Sequence, residues 1–288
     1  MNATTEEEPT ETGKSPLSPL AWYAPGVVCG DNCEVMRQWP DRCIDLVVTS
    51  PPYDDLREYG NHEWDFYGVA WNLARLLKPG GVIVWVVADA TKDGGETGTS
   101  MRQALHFQTL GINLHDTMIY QQKGTGAKGS NAAYWQAWEY CFVLSKGAPK
   151  SVNRIADKVN ITAGGKHSGG RRAKNGERKD YNDRITKELG IRENVWAYGV
   201  GGGGRFDHPA QFPDALASDH IQSWSNPGDI VLDPFAGSGT TLKAAKELNR
   251  RYVGIEVNPE YVKICEERTM QESLPLYCDN DEVSQCRE

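Results

Sequence analysis

The chain has 288 residues, 39% of them apolar, and a formal net charge of −8. That length allows one generous domain with an insertion and a packed core. The acidic balance means that a polyanionic partner would have to be met by a local basic patch and not by the average surface.

No run approaches the roughly 18 apolar residues needed to span a bilayer. No apolar leader precedes the first cysteine, and the seven cysteines (Cys29, Cys33, Cys43, Cys141, Cys265, Cys278, Cys286) form no C-x-x-C pair. These features predict a soluble intracellular protein with free thiols in a reducing cytoplasm.

In chain order, residues 1–20 are rich in Thr, Glu, Ser and Pro and are expected to form a disordered acidic tail. Short apolar runs at 27–28, 44–48, 82–87, 117–120, 140–144, 230–232 and 252–255 predict seven strands. Helical patterns at 34–39, 69–77, 103–110, 240–248 and 259–270 are interleaved with them. Alternation of this kind predicts an α/β fold whose mostly parallel sheet is covered on both faces. Lys78-Pro79-Gly80-Gly81 punctuates the junction between the second helix and the third strand. Residues 273–288 form a second acidic tail.

The middle of the chain differs. Residues 146–192 carry thirteen Lys and Arg against five Asp and Glu, a local charge of +8, with almost no apolar periodicity. Read alone, such a stretch is a solvated, mobile insertion. Read as a phosphate-neutralising surface, it offers Lys166, His167, Arg171, Arg172, Lys174, Arg178 and Lys179. A glycine cluster at 199–204 resembles a hinge or linker.

Two motifs carry the chemistry. Near the start, Thr49-Ser50-Pro51-Pro52-Tyr53 ends an apolar strand and presents a hydroxyl, a stiff carbonyl-bearing turn and an aromatic face at one point. Near the end, Asp233-Pro234-Phe235-Ala236-Gly237-Ser238-Gly239-Thr240-Thr241 forms a strand, a glycine-rich turn and a helix start, which lets backbone approach a nucleotide-like cofactor. The spacing is not that of a P-loop, nor is it the G-x-G-x-x-G of a nicotinamide site.

In this order, the two motifs resemble the β group of DNA amino-methyltransferases, over about residues 25–270. The resemblance implies a Rossmann-like, seven-stranded, circularly permuted methyltransferase sheet with a basic target-recognition insertion. It divides the chain into a catalytic half (21–145), the insertion (146–198) and a cofactor-binding half (199–272). It also implies S-adenosylmethionine as cofactor, no metal, no membrane, and double-stranded DNA as partner. A homodimer, a cognate restriction endonuclease and a nucleoid-associated location in a bacterium are compatible with it.

The resemblance assigns the target amine to Ser50, Pro51, Pro52 and Tyr53. Hydrogen bonds to the Ser50 hydroxyl and the Pro51 carbonyl would aim the nitrogen lone pair, and Tyr53 would stack on a flipped base. The cofactor falls to Asp233 through Thr241, with Glu256 on the ribose hydroxyls. Asp31 either approaches the adenine end or caps the following helix, and Glu256 is otherwise a helix-start charge. His208 and Phe212, in His208-Pro209-Ala210-Gln211-Phe212-Pro213, either close the methionine end or simply pack. A serine at the head of the first motif implies N4 of cytosine, and N6 of adenine is the alternative.

Cytosine C5 chemistry would need a Pro-Cys nucleophile, which the chain lacks. Zinc deaminase chemistry would need H-x-E with P-C-x-x-C, also absent. An RNA or protein amide methyltransferase, or an inactive DNA-binding relative, remains as a further alternative.

Overall fold

The computed structural model describes residues 22–53, 64–124, 134–199 and 213–270, with 167–171 and 178–184 described by their backbone alone. Both tails lie outside the described residues, as do the residues Val200 to Gly204 of the glycine cluster. The elements run β1 (Gly26–Cys29), α1 (Asn32–Arg37), β2 (Ile44–Thr49), α2 (Phe66–Leu76), β3 (Leu77–Val87), β4 (Thr91–Lys92), β5 (Gly95–Glu96), α3 (Thr99–Thr109), β6 (Asn113–Lys123) and β7 (Trp138–Ser145). They continue as β8 (Lys158–Val159), β9 (Lys166–Arg172), β10 (Arg178–Ile185), β11 (Leu189–Gly190), β12 (Val195–Gly199), α4 (Asp214–Trp224), β13 (Ile230–Asp233), α5 (Thr240–Glu247), β14 (Arg251–Glu256) and α6 (Pro259–Met270).

The main sheet has the order β1-β14-β13-β2-β3-β7-β6-β12. Every neighbouring pair is parallel except those of β7, which is antiparallel to β3 and β6. All seven predicted strands belong to it, and β12 adds an eighth at the edge. The sequence pattern does not announce that strand, because Val195-Trp196-Ala197-Tyr198-Gly199 closes a charged segment. Only its packing reveals a strand, with Trp196 buried against α4.

Side chains alternate between two cores, as the period of a strand requires. Ile83, Trp85 and Val87 join Met36, Leu73 and Phe107 under α1 to α3. Val82, Val84 and Val86 join Leu216, Ile221 and Ala245 under α4 and α5. Because both faces are covered, the central strands read as unbroken apolar runs. Helix α4 is not among the helices expected above, although its apolar positions Leu216, Ala217, Ile221 and Trp224 recur at helical spacing.

The basic insertion is a β-hairpin arm. Its strands pair at Gly190 with Lys158 and Leu189 with Val159, then from Ile185 with Lys166 out to Arg178 with Arg172. Lys174 lies in the turn, where Ala173 N donates to Glu177 O at 2.8 Å.

At the root of the arm, Arg192 donates to Asp157, to Asp219 Oδ2 (2.6 Å) and to Tyr198 Oη (3.0 Å), and stacks 5.0 Å from the Trp196 ring. Beneath it, the fully buried His220 stacks on Trp196 with centroids 4.7 Å apart. The five described cysteines are all free. Among the described residues no helix is long and apolar enough to cross a membrane, and no group of three or more His, Cys, Asp or Glu side chains could hold a metal.

Neither ring nitrogen of His220 finds a partner among the described residues. Burial, with the Arg192 charge second, depresses its pKa to about 3. The unfolded chain takes up a proton below about pH 6.5 that the native state refuses, so stability falls by about 1.4 kcal/mol per pH unit on the acid side. His220→Phe, which keeps the stacking surface, should be roughly 1–2 kcal/mol more stable than the natural protein at pH 5. The two should differ little at pH 8, and denaturant unfolding at both pH values checks this.

Candidate active site

Strands β2 and β13 are direct parallel neighbours, with Val231 opposite Leu46 and Leu232 opposite Val47. The chain leaves β13 through α5 toward β14 on one side, and leaves β2 through α2 toward β3 on the other. The strand order therefore reverses between them, which opens a crevice beyond their carboxyl ends. Both motifs emerge there, although their first residues are 184 positions apart along the chain.

They are joined by buried polar bonds. Thr49 Oγ1 donates to Asp233 Oδ1 at 2.7 Å, and Thr241 Oγ1 donates to Val48 O at 3.2 Å. Asp233 is 2% exposed, and Phe235 N also donates to its Oδ1 at 3.1 Å. Burial raises the Asp233 pKa to about 6, against the opposing pull of Thr49, the Phe235 amide and Thr241. This carboxyl is buried next to the glycine-rich turn among hydroxyls and an amide, an environment that favours a positively charged ligand group.

The turn itself is pinned from every side. Ala236 N donates to Ile255 O (2.9 Å), and Asn32 Nδ2 donates to Pro234 O (3.2 Å). Arg268 Nη1 donates to Ser238 O and Oγ (both 2.9 Å) and to Thr240 Oγ1 (3.3 Å). Phe235 sets its ring edge-on to Trp64 at 5.1 Å. Gly237 and Gly239 adopt φ of +51° and +83°, a left-handed conformation that glycine enters without strain. At Gly239 there is a further reason: a Cβ would lie 2.5 Å from Cys265 Sγ of α6.

Glu256 at the end of β14 holds the turn from below. Its Oε2 accepts from Gly237 N (2.9 Å) and its Oε1 from Asn258 N (2.8 Å). Burial raises its pKa, and these amides pull it back. Asn258 accepts from Glu260 N at 2.9 Å and so caps α6. Asp31 is the N-cap of α1, its Oδ1 accepting from Glu34 N at 2.9 Å. Its neighbour Gly30 donates to Glu256 O at 3.0 Å, which brings the ends of β1 and β14 together.

On the other side of the crevice, Ser50 Oγ lies 2.7 Å from Tyr53 Oη, and Tyr53 Oη donates to Glu139 Oε2 at 2.9 Å. Gln122 Nε2 donates to Glu139 Oε1 at 2.9 Å. Tyr53 is buried, Pro51 is buried, and Ser50 and Pro52 are half-buried. Burial first and Glu139 second push the Tyr53 phenol well above its usual range, so it stays protonated.

The structure thus gathers Asp31, Ser50, Tyr53, Asp233 to Thr241 and Glu256 around the carboxyl ends of the strands. His208 and Phe212 lie outside the described residues. Lys166, Arg172 and Lys174 are exposed on the arm, which also carries His167, Arg171, Arg178 and Lys179. Sequence reasoning missed Glu139 and Gln122, since neither belongs to a motif. The available signal was a single carboxylate at the head of an otherwise apolar run, Trp138-Glu139-Tyr140-Cys141-Phe142.

A mostly parallel sheet with a glycine-rich turn and a Ser-Pro-Pro-Tyr turn at its switch point is a Rossmann-like methyltransferase architecture. The fold is similar to that of PvuII DNA methyltransferase (cytosine-N4-specific), with a TM-score of 0.63, 22% identity, and coverage of 87% of this chain and 88% of that one. It is also similar to a Thermus thermophilus protein solved in complex with S-adenosyl-L-methionine, with a TM-score of 0.58, 27% identity, and coverage of 85% and 95%.

The N6/N4 methyltransferase family model, described as DNA methylase, matches residues 44–267. The orphan methyltransferase M.BamHII of Bacillus amyloliquefaciens is 49% identical over 237 residues, 79% of this chain and 89% of the relative. The type II methyltransferase M.BglII of Bacillus subtilis is 32% identical over 256 residues, 82% of this chain and 66% of the relative. The chain belongs to the N6/N4 DNA methylase family.

The close contact at Gly239 gives a direct test of the loop. Gly239→Ala adds a methyl group against Cys265 at a left-handed φ, and should cost about 1–3 kcal/mol of stability. Cys265→Ala in the same chain should recover part of that loss by opening space. Urea midpoints of the single and double variants check both expectations.

Proposed function

We propose that this chain transfers a methyl group from S-adenosylmethionine to the exocyclic N4 amine of cytosine in duplex DNA, after the base is flipped from the helix. The observation that carries the reading is a serine-headed Ser50-Pro51-Pro52-Tyr53 turn abutting the Asp233–Thr241 turn through the Thr49 to Asp233 hydrogen bond. The residues fit the cofactor. Asp233 supplies a buried carboxyl for an ammonium group. Glu256 accepts from backbone amides through both oxygens and offers its remaining lone pairs to ribose hydroxyls. Bound there, the cofactor supplies a methyl carbon on a cationic sulfur that leaves with the C–S electron pair.

The remaining work falls to the chain. Ser50 Oγ and the Pro51 carbonyl accept hydrogen bonds from the amine and aim its lone pair, and Tyr53 offers its ring to the flipped base. His208 and Phe212 are assigned to the methionine end of the pocket and Asp31 to the adenine end. The serine, a neutral acceptor, favours cytosine. The PvuII enzyme, whose fold this chain shares, is cytosine-N4-specific. N6 of adenine is the second reading, since its amine poses the same problem of a delocalised lone pair.

DNA contacts are assigned to the arm of the 146–198 segment. Its register sets Arg172 opposite Arg178 and Arg171 opposite Lys179, which gathers basic positions along one ribbon, as a phosphate-contacting surface requires. A two-stranded ribbon is also a shape that the major groove admits. A homodimer and a cognate endonuclease form no part of this reading.

Nucleoside mass spectrometry of DNA from cells expressing the chain should reveal N4-methylcytosine. N6-methyladenine alone would move the reading to its alternative, and 5-methylcytosine would overturn both, because it requires covalent attack on the ring. Ser50→Ala should lower turnover at least tenfold while leaving cofactor affinity within about twofold.

For the arm, replacing Lys166, Arg172 and Lys174 together by Ala should flatten the dependence of duplex-DNA affinity on salt. A change in slope of roughly 2 to 3 is expected for three lost phosphate contacts. A slope equal to that of the natural protein would make the arm a bystander.

A further inference from the structure

Glu139 belongs to neither motif, yet its carboxylate closes a hydrogen-bonded chain that begins at Ser50. The phenol of Tyr53 has one proton, and it is donated to Glu139 Oε2 at 2.9 Å. In the 2.7 Å contact with Ser50, Tyr53 Oη must therefore accept, and Ser50 must donate. The Ser50 proton is then engaged by Tyr53, and the Ser50 lone pairs remain available as acceptors.

That direction matters for the reaction proposed above, on which this inference rests. If Tyr53 donated to Ser50 instead, the serine proton would be released toward the amine and would tie up the lone pair that must attack the methyl group. We propose that Glu139 is a positioning residue that fixes the direction of the Ser50-Tyr53 hydrogen bonds and receives, through them, the proton that the target amine loses on methylation.

The bookkeeping of atoms is complete within these groups. As the amine lone pair becomes the new N–C bond, the nitrogen acquires a positive charge. One N–H bond then breaks, its electron pair staying on nitrogen and its proton passing to Ser50 Oγ. The Ser50 hydroxyl proton moves to Tyr53 Oη, and the Tyr53 proton moves to Glu139 Oε2. Ser50 and Tyr53 end as they began, the amine is neutral, and the carboxylate has become a carboxylic acid.

Gln122 keeps this geometry by donating to Oε1 at 2.9 Å, which leaves Oε2 to Tyr53. Tyr120 stands opposite Glu139 on β6, and the Cys141 thiol follows on β7. Burial and the Glu139 charge hold that thiol well above its usual range, so it remains neutral and does not compete for the proton.

The test compares Glu139→Gln, Tyr53→Phe and the double variant in the full chain. Single-turnover methylation of unmodified plasmid DNA is measured with tritiated cofactor, together with cofactor affinity by calorimetry and affinity for the plasmid DNA. Glutamine keeps the acceptor oxygen but cannot take the proton, and phenylalanine keeps the ring.

A shared relay predicts a loss of tenfold or more in each single variant, no further loss in the double variant, and affinities within twofold of the natural protein. Undiminished transfer in Glu139→Gln, or losses that multiply in the double variant, would overturn the relay. So would a Glu139→Gln variant that loses both affinities in step with its rate, because that is the signature of a merely structural role. Should Glu139→Gln not fold, Tyr53→Phe decides alone: transfer at the natural rate with intact affinities overturns the chain of proton donors. The modified base is identified in the same samples by mass spectrometry, so an error in the choice of base is read separately from an error in the relay.

Discussion

The hydrogen bond from Thr49 to Asp233, 2.7 Å long and buried, is the point on which the rest of the molecule turns. It exists because β2 and β13 are sheet neighbours whose carboxyl ends point the same way. Placing a charged carboxyl in that position is unfavourable, and burial raises its pKa to about 6. The hydroxyls of Thr49 and Thr241 and the amide of Phe235 offset part of that cost, so the acid is held in one place between two motifs. An Asp233 without those partners would be an uncompensated buried group.

Around that bond the structure divides its tasks by rigidity. The glycine-rich turn is tied to β14 through Ile255 and Glu256, to α1 through Asn32 and to α6 through Arg268. The Ser-Pro-Pro-Tyr turn is stiffened by its prolines and by the Tyr53–Glu139–Gln122 bonds, which anchor it to β7 and β6. Those two strands sit on the far side of β3, so the crevice is framed by almost the whole width of the sheet. The arm is different, because β9 and β10 pair with each other in a sheet of their own. Its root is fastened by Arg192, which reaches Asp157 on the arm side and Asp219 on α4, with the Trp196 and His220 rings stacked beneath. A surface proposed to meet DNA is thus carried on a lever fixed to the core at its base.

The sequence by itself determined the fold class, the seven strands of the central run and the two motifs, since each of these is a local signal: apolar runs, glycine punctuation and short fixed spacings. It also determined that residues 146–192 are basic, though not their form. With few apolar side chains to set a period, the pairing of Arg172 with Arg178 and of Lys158 with Gly190 is not legible in the sequence.

Tertiary structure alone decided the remainder. It placed β12 at the sheet edge by burying Trp196. It gave Gly239 a close neighbour in Cys265 of α6. It brought Glu139 to Tyr53 across a sequence separation of 86 residues. A carboxylate at the head of an apolar run marks Glu139 as unusual, but its partner is not legible in local sequence pattern, because the contact depends on the order in which strands enter the sheet and not on the residues beside it in the chain.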